Sequence, residues 1–256
     1  TVHNFSDALT AVPLWIAFAV GRRAATRRYT YGFGRAEDLA GLFIVGMIGL
    51  SAAVAGWESL QRLMDPRPIQ DIGWVMAAAL VGFAGNELVA ILRIRVGREI
   101  GSAALVADGH HARADGFTSL AVLLGALGVY AGYPIADPIV GLGITVAILF
   151  VLRDAARDMW HRLMDAVSPQ IVDALMAAGR LPGVEEIRNM RVRWLGHRLE
   201  ADLEIVVDCD LPTRASHQLA EGVRHALFHA EPKLAVVTVH VDPCGHDGDD
   251  DHSETA

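Results

Sequence analysis

Five runs of this chain are apolar on every side and are separated by short, mostly basic segments. They span roughly Phe5–Val20, Leu39–Trp57, Ile72–Leu92, Ala103–Tyr130 and Pro138–Leu152. A helix needs about 20 such residues to cross the ~30 Å hydrocarbon layer of a bilayer. The pattern therefore predicts five membrane helices. The second run carries no charge, the third is interrupted by Glu87, and the fourth holds a His/Asp cluster near its middle. The last is short, and Ile135–Asp137 and Arg153 extend it toward the interfaces.

After Leu163 the pattern changes. Pro169–Arg180 reads as a helix, with Ser168 as its cap and Pro169 in the first turn. Ile187–Leu195 and Leu199–Val207 read as strands. In the second of these, Leu199, Ala201, Leu203, Ile205 and Val207 alternate with Glu200, Asp202 and Glu204, as in a half-buried strand. Gly196-His197 between them suits a hairpin. Arg214–Ala230 is an amphipathic helix with Leu219, Val223 and Leu227 at four-residue spacing, and Leu234–Val241 is a third strand. The order α-β-β-α-β predicts a small open α/β sandwich. The expected organisation is thus a membrane domain over residues 1–164, a compact domain over 165–243, and an acidic, disordered tail over 244–256 that contains His246 and His252.

Charge sharpens this division. Residues 165–256 hold 17 Asp and Glu against 8 Lys and Arg, whereas residues 1–164 hold 13 and 14. An acidic tail domain argues against a nucleic-acid partner, which demands a basic face. Arginines cluster in 21–38 (Arg22, Arg23, Arg27, Arg28, Arg35), in 93–101 (Arg93, Arg95, Arg98) and after the last span (Arg153, Arg157, Arg162). The segments 61–71 and 131–136 are poor in them, so the basic segments and the following domain are expected on the cytoplasmic side of the cell (inner) membrane. Glycine and alanine in the spans suit close helix packing. Cys209 and Cys244 form neither a CxxC motif nor a disulfide framework. No signal peptide is evident. Without an initiating Met, and with Asp7 otherwise left at a membrane surface, the chain is expected to lack its natural beginning.

Ionisable residues at membrane depth are costly and mark an ion or proton path. His3 and Asp7 lie four apart in the first span, and His111 and Asp115 four apart in the fourth. Residues at this spacing share one helix face. Two such pairs on facing helices supply the four nitrogen and oxygen ligands that a tetrahedral cation takes. The donor set suits Zn²⁺, and also Co²⁺, Fe²⁺, Cd²⁺ or Mn²⁺, better than Cu(I), which favours sulfur. His110 points about 100° away from His111 and is expected to face the lumen or support the site. Asp108 and Arg113 are expected to pair or face water, Asn86 and Glu87 to be a helix-end polar pair, and Asp137 to cap its helix. His197, His225 and His229 read as surface residues.

The segments HNFSD, YTYGFGRAEDLAGL, SAALVADGHHARADGFTSLAVLLG and TVHVDP, in this order, resemble the cation diffusion facilitators over essentially the whole chain. The resemblance implies a transmembrane bundle of six helices, of which this chain would hold the second to sixth, and a ferredoxin-like cytoplasmic domain that forms homodimers. It implies export of divalent metal from the cytoplasm in exchange for protons. Its transport ligands map onto His3, Asp7, His111 and Asp115, a zinc-preferring pattern. In the cytoplasmic domain it points to His217, His240 and Asp242, with Asp202 and Arg188 standing where some members have His. Two other readings stand beside transport. One is an intramembrane metallohydrolase, disfavoured by the lack of HExxH; the other is a membrane-anchored metal sensor.

Overall fold

The computed structural model describes residues 2–64, 72–133 and 135–245, with side chains from residue 12 onward. The chain divides into two compact units, Thr1–Leu163 and Met164–Ala256. The first is all helical: α1 (Val2–Gly21), α2 (Arg35–Met64), α3 (Ile72–Ile100), α4 (Ala103–Tyr130) and α5 (Ala136–Leu163). Helices α2 to α5 are each long and apolar enough to cross a membrane, and Val12–Gly21 adds a shorter apolar run.

The helices run past the apolar stretches that predict them. Arg93, Arg95 and Arg98, expected in a loop, lie in the last turns of α3, and Arg153, Arg157 and Arg162 lie within α5. Arginine is a good helix former, so leaving the apolar layer does not end a helix. α3 stops only at Gly101, whose φ of +79° is a left-handed conformation natural to glycine.

Helices α2 and α5 pack along a seam of small residues. Gly41 lies against Met159, Gly49 against Leu152, Gly56 against Thr145, and Gly141 against Ser59. With no Cβ in the way, the two backbones come close, which is how membrane helices gain packing energy without a hydrophobic drive. Ile44, Ile48, Ala52, Ile148, Ala155 and Met159 fill the space beside the seam, and Ala107 and Ala114 bring α4 into the same cluster. At the far end Arg62 reaches Asp137 at 3.1 Å, so Asp137 ties α5 to α2 rather than serving only as a cap. Helices α3 and α4 pack equally closely: a Cβ on Gly109 would run into the Ile94 side chain and press on the Ile94 amide and the Ala90 carbonyl.

The second unit holds α6 (Pro169–Gly179), β1 (Glu186–Leu195), β2 (Arg198–Val207), α7 (Thr213–Ala230) and β3 (Leu234–Pro243). The sheet order is β1-β2-β3, with β1 and β2 antiparallel and β2 and β3 parallel. Gly196, at φ +60°, turns the tight hairpin between β1 and β2. The parallel step from β2 to β3 needs a crossover, and α7 supplies it. The apolar positions of β2 meet Leu175 of α6 and Val223 and Leu227 of α7 in one core. The polar positions Glu200, Asp202 and Glu204 therefore lie on the opposite face of the sheet.

Cys209 and Cys244, expected as unrelated residues, form a disulfide across 35 positions. The amide of Cys244 also donates to the Val207 carbonyl at 2.8 Å, which extends the β2–β3 pairing past the strand end. Sequence spacing does not reveal this closure, because it depends on the parallel register. In the chain-entropy picture such a loop is worth about 3–4 kcal/mol. Hydrogen exchange on the full chain checks this. Reduction is expected to lower protection along β3 in the parent protein and to leave Cys209→Ser unchanged; equal responses would refute the tether.

Candidate metal centre

The site is built on α4. Ser102 caps the helix, its Oγ accepting from the Leu105 amide at 3.3 Å. The helix then runs unbroken through the membrane, and the four-residue spacing puts His111 and Asp115 on one face. Each is 2% exposed. His111 Nε2 stands 3.6 Å from Asp115 Oδ2. That is too long for a hydrogen bond. It is close to the separation of about 3.3 Å that two ligands take around a tetrahedral zinc. The hydroxyls of Thr118 and Ser119 return to the carbonyls of Ala114 and Asp115 within the helix. His110 is half-buried beside the pair.

Of the four ligands expected from the sequence, these two are on α4 as anticipated. His3 and Asp7 belong to α1, which packs against both α2 and α4, but their side chains lie outside the described residues.

Two ion pairs hold α4 to α3. Arg93 meets Asp108 at 2.9 Å, and Asp108 is almost wholly buried. Arg113 forks onto Glu87, with Nη2 to Oε1 at 2.8 Å and Nε to Oε2 at 3.2 Å. Glu87 is therefore not a helix-end residue, because α3 continues for thirteen residues beyond it. It neutralises an arginine that is two positions from both His111 and Asp115. Asp108 and Arg113 are thus each paired, but with Arg93 and Glu87 of α3 and not with each other.

The cytoplasmic ends of the helices hold a polar cluster that the sequence did not single out. Glu37 and Asp38 open α2 and are 3% and 2% exposed. Ser102 Oγ donates to Glu37 at 3.4 Å, Arg35 lies 4.0 Å from Asp38, and Arg162 of α5 donates to the Gly101 carbonyl at 2.5 Å. Three helix ends are tied together there. Acids in a first turn are ordinary from sequence; only the packing shows that these two face inward.

In the second unit His240 and Asp242 alternate onto the open face of β3, 3.0 Å apart. Asp202, exposed on the same face, sits opposite Arg191 and Thr238. His217 is in the second turn of α7, in the layer that covers the other face. Among the described residues no three His, Cys, Asp or Glu side chains converge as a metal cage, so a single chain does not gather these four. Arg188 is engaged by Glu186 at 2.7 Å. His225 and His229, expected as independent surface residues, bring their Nε2 atoms to 3.0 Å.

The family model for the cation efflux transmembrane domain matches residues 1–164, and that for the cation efflux protein cytoplasmic domain matches 165–244. The chain is 60% identical over 247 residues to a probable cation efflux system protein of Mycobacterium tuberculosis, covering 96% of this chain and 74% of that one. It is 30% identical over 248 residues to the cation-efflux pump FieF of Serratia proteamaculans, covering 95% and 81%. It is 25% identical over 244 residues to the magnetosome protein MamB of a Magnetospira species, covering 94% and 83%.

Proposed function

The chain belongs to the cation diffusion facilitator, or cation efflux, family, and on that footing we propose that it carries Zn²⁺ out of the cytoplasm in exchange for protons, through a site made of His3, Asp7, His111 and Asp115. Efflux of divalent cations by a multi-pass membrane protein with a cytoplasmic C-terminal domain is the family's activity. This is transport rather than hydrolysis, which sets the metallohydrolase reading aside. Zinc, protons and the ligand set are the finer reading.

The buried His111–Asp115 pair carries that reading. It offers a nitrogen and an oxygen at the spacing of two cation ligands, deep in an otherwise apolar helix. Imidazole with carboxylate, and no thiolate, favours zinc-like ions at moderate affinity, and an ion that must leave again needs moderate affinity. An imidazole binds metal only when neutral, so protons arriving at the site compete the ion off. Ion release and proton uptake are then one exchange. In the cytoplasmic domain, His240 and Asp242 are the donors we assign to a regulatory ion, with His217 and Asp202 as further contributors. A second copy of the chain, in a homodimer formed through this domain, completes the shell.

Flux into proteoliposomes under an imposed pH gradient tests the function. Zn²⁺ movement is expected to follow the gradient and to stop when a protonophore collapses it. Flux indifferent to the gradient would remove proton exchange. Flux of Mn²⁺ or Fe²⁺ without Zn²⁺ would remove the choice of zinc.

A further inference from the structure

The outer face of α7 carries two histidines in an arrangement that nothing above uses. Helix α7 packs Ala220, Val223 and Leu227 toward the sheet. His225 lies about 200° from Val223 around the helix, and His229 follows one turn later, so both project from the exposed side. Their rings meet edge to face, with centroids 4.4 Å apart and planes at 81°. Their Nε2 atoms are 3.0 Å apart.

Two neutral imidazoles at that distance share one proton between two lone pairs. A metal ion can take the proton's place once the donor ring changes tautomer, its proton passing through water to its own Nδ1 so that both imidazoles stay neutral. Two nitrogens bound to a tetrahedral zinc stand about 3.3 Å apart, and nearer 3 Å at a square-planar corner. The rings therefore need to open by a few tenths of an ångström or not at all, and no packing opposes it because both are exposed. His229 sits in the last turn of α7, where the partial negative charge of the helix end favours a cation. The neighbouring charges do not compete for the site. Glu221, one turn earlier on the same face, accepts from Arg224 at 3.2 Å, and the Arg224 guanidinium lies over the Phe228 ring, 5.8 Å from its centroid.

We propose that His225 and His229 form a two-nitrogen chelate on the cytoplasmic domain for a borderline divalent cation of the Ni²⁺, Cu²⁺ and Zn²⁺ class, separate from the ligands on α4 and from the open face of the sheet. Water fills the remaining positions, so the ion exchanges readily. Such a site reports the free metal level to the domain, or holds a reserve of ion there. It binds whether or not the chain transports.

Titration calorimetry of the full-length protein in detergent, with NiCl₂ and with ZnCl₂, tests this. His225→Gln and His229→Gln are each expected to remove the same single equivalent of Ni²⁺, or to weaken it at least tenfold. Asp115→Asn should leave that equivalent in place. The Cu²⁺-loaded parent protein should show electron-spin couplings from two imidazole nitrogens, and either Gln variant should lose them. Full retention of Ni²⁺ at unchanged affinity in either variant would overturn the site, as would a loss caused by only one of the two. A parent protein that binds the Ni²⁺ equivalent but moves no Zn²⁺ in proteoliposomes would count against the transport reading and not against this one.

Discussion

Asp115→Asn is expected to abolish metal transport while the helix bundle stays folded. The substitution keeps size and shape at a site that is 2% exposed, so packing around α4 is undisturbed. What changes is charge. Two neutral imidazoles and two carboxylates give the proposed site a net charge of minus two, which cancels a divalent cation. Replacing one carboxylate by an amide leaves one uncompensated positive charge in a medium that penalises it by several kcal/mol. Each 1.4 kcal/mol is a factor of ten, so transport should fall by at least about a hundredfold. The readout is initial Zn²⁺ flux in proteoliposomes, with helical content and monodispersity as controls. Flux within twofold of the parent would eliminate Asp115 as a ligand.

The second large effect is expected at Arg113→Ala. Arg113 and Glu87 neutralise each other between α3 and α4 through two hydrogen bonds. Removing the arginine leaves a half-buried carboxylate of the membrane domain without its partner, which costs about 1–3 kcal/mol. Thermal unfolding of the detergent-solubilised protein should shift markedly downward. Replacing both partners, as in Glu87→Gln with Arg113→Gln, should recover most of the loss, because an amide pair can still exchange hydrogen bonds without stranding a charge. If the double variant is no more stable than Arg113→Ala, the arginine acts through something other than Glu87.

These two residues also show where sequence reading stops. The membrane helices were legible because an apolar run of sufficient length has few other uses. The strands of the second unit were legible because β2 alternates so regularly that its buried face can be named residue by residue. His111 and Asp115 were legible because four-residue spacing is local to one helix. Glu87 and Arg113, 26 positions apart, were not paired on paper. Their meeting depends on how far α3 slides along α4, and that is set by contacts such as Gly109 against Ala90. The same holds for Glu37 and Ser102, and for Cys209 and Cys244, where partners are chosen by register between elements. His225 and His229 differ from these. Their spacing was in plain view, but a pair on the polar side of an amphipathic helix reads as ordinary surface until the ring positions are known.

The two ion pairs between α3 and α4 key the rotation of one helix to the other. If α4 turns, α3 turns with it or both pairs break. Yet the outward flank of α3 is a wall of Trp74, Leu80, Val81, Leu88, Ile91 and Leu92, all exposed on the bundle surface. Any force borne by that flank is transmitted through α3 and the two ion pairs to α4, the helix that carries His111 and Asp115.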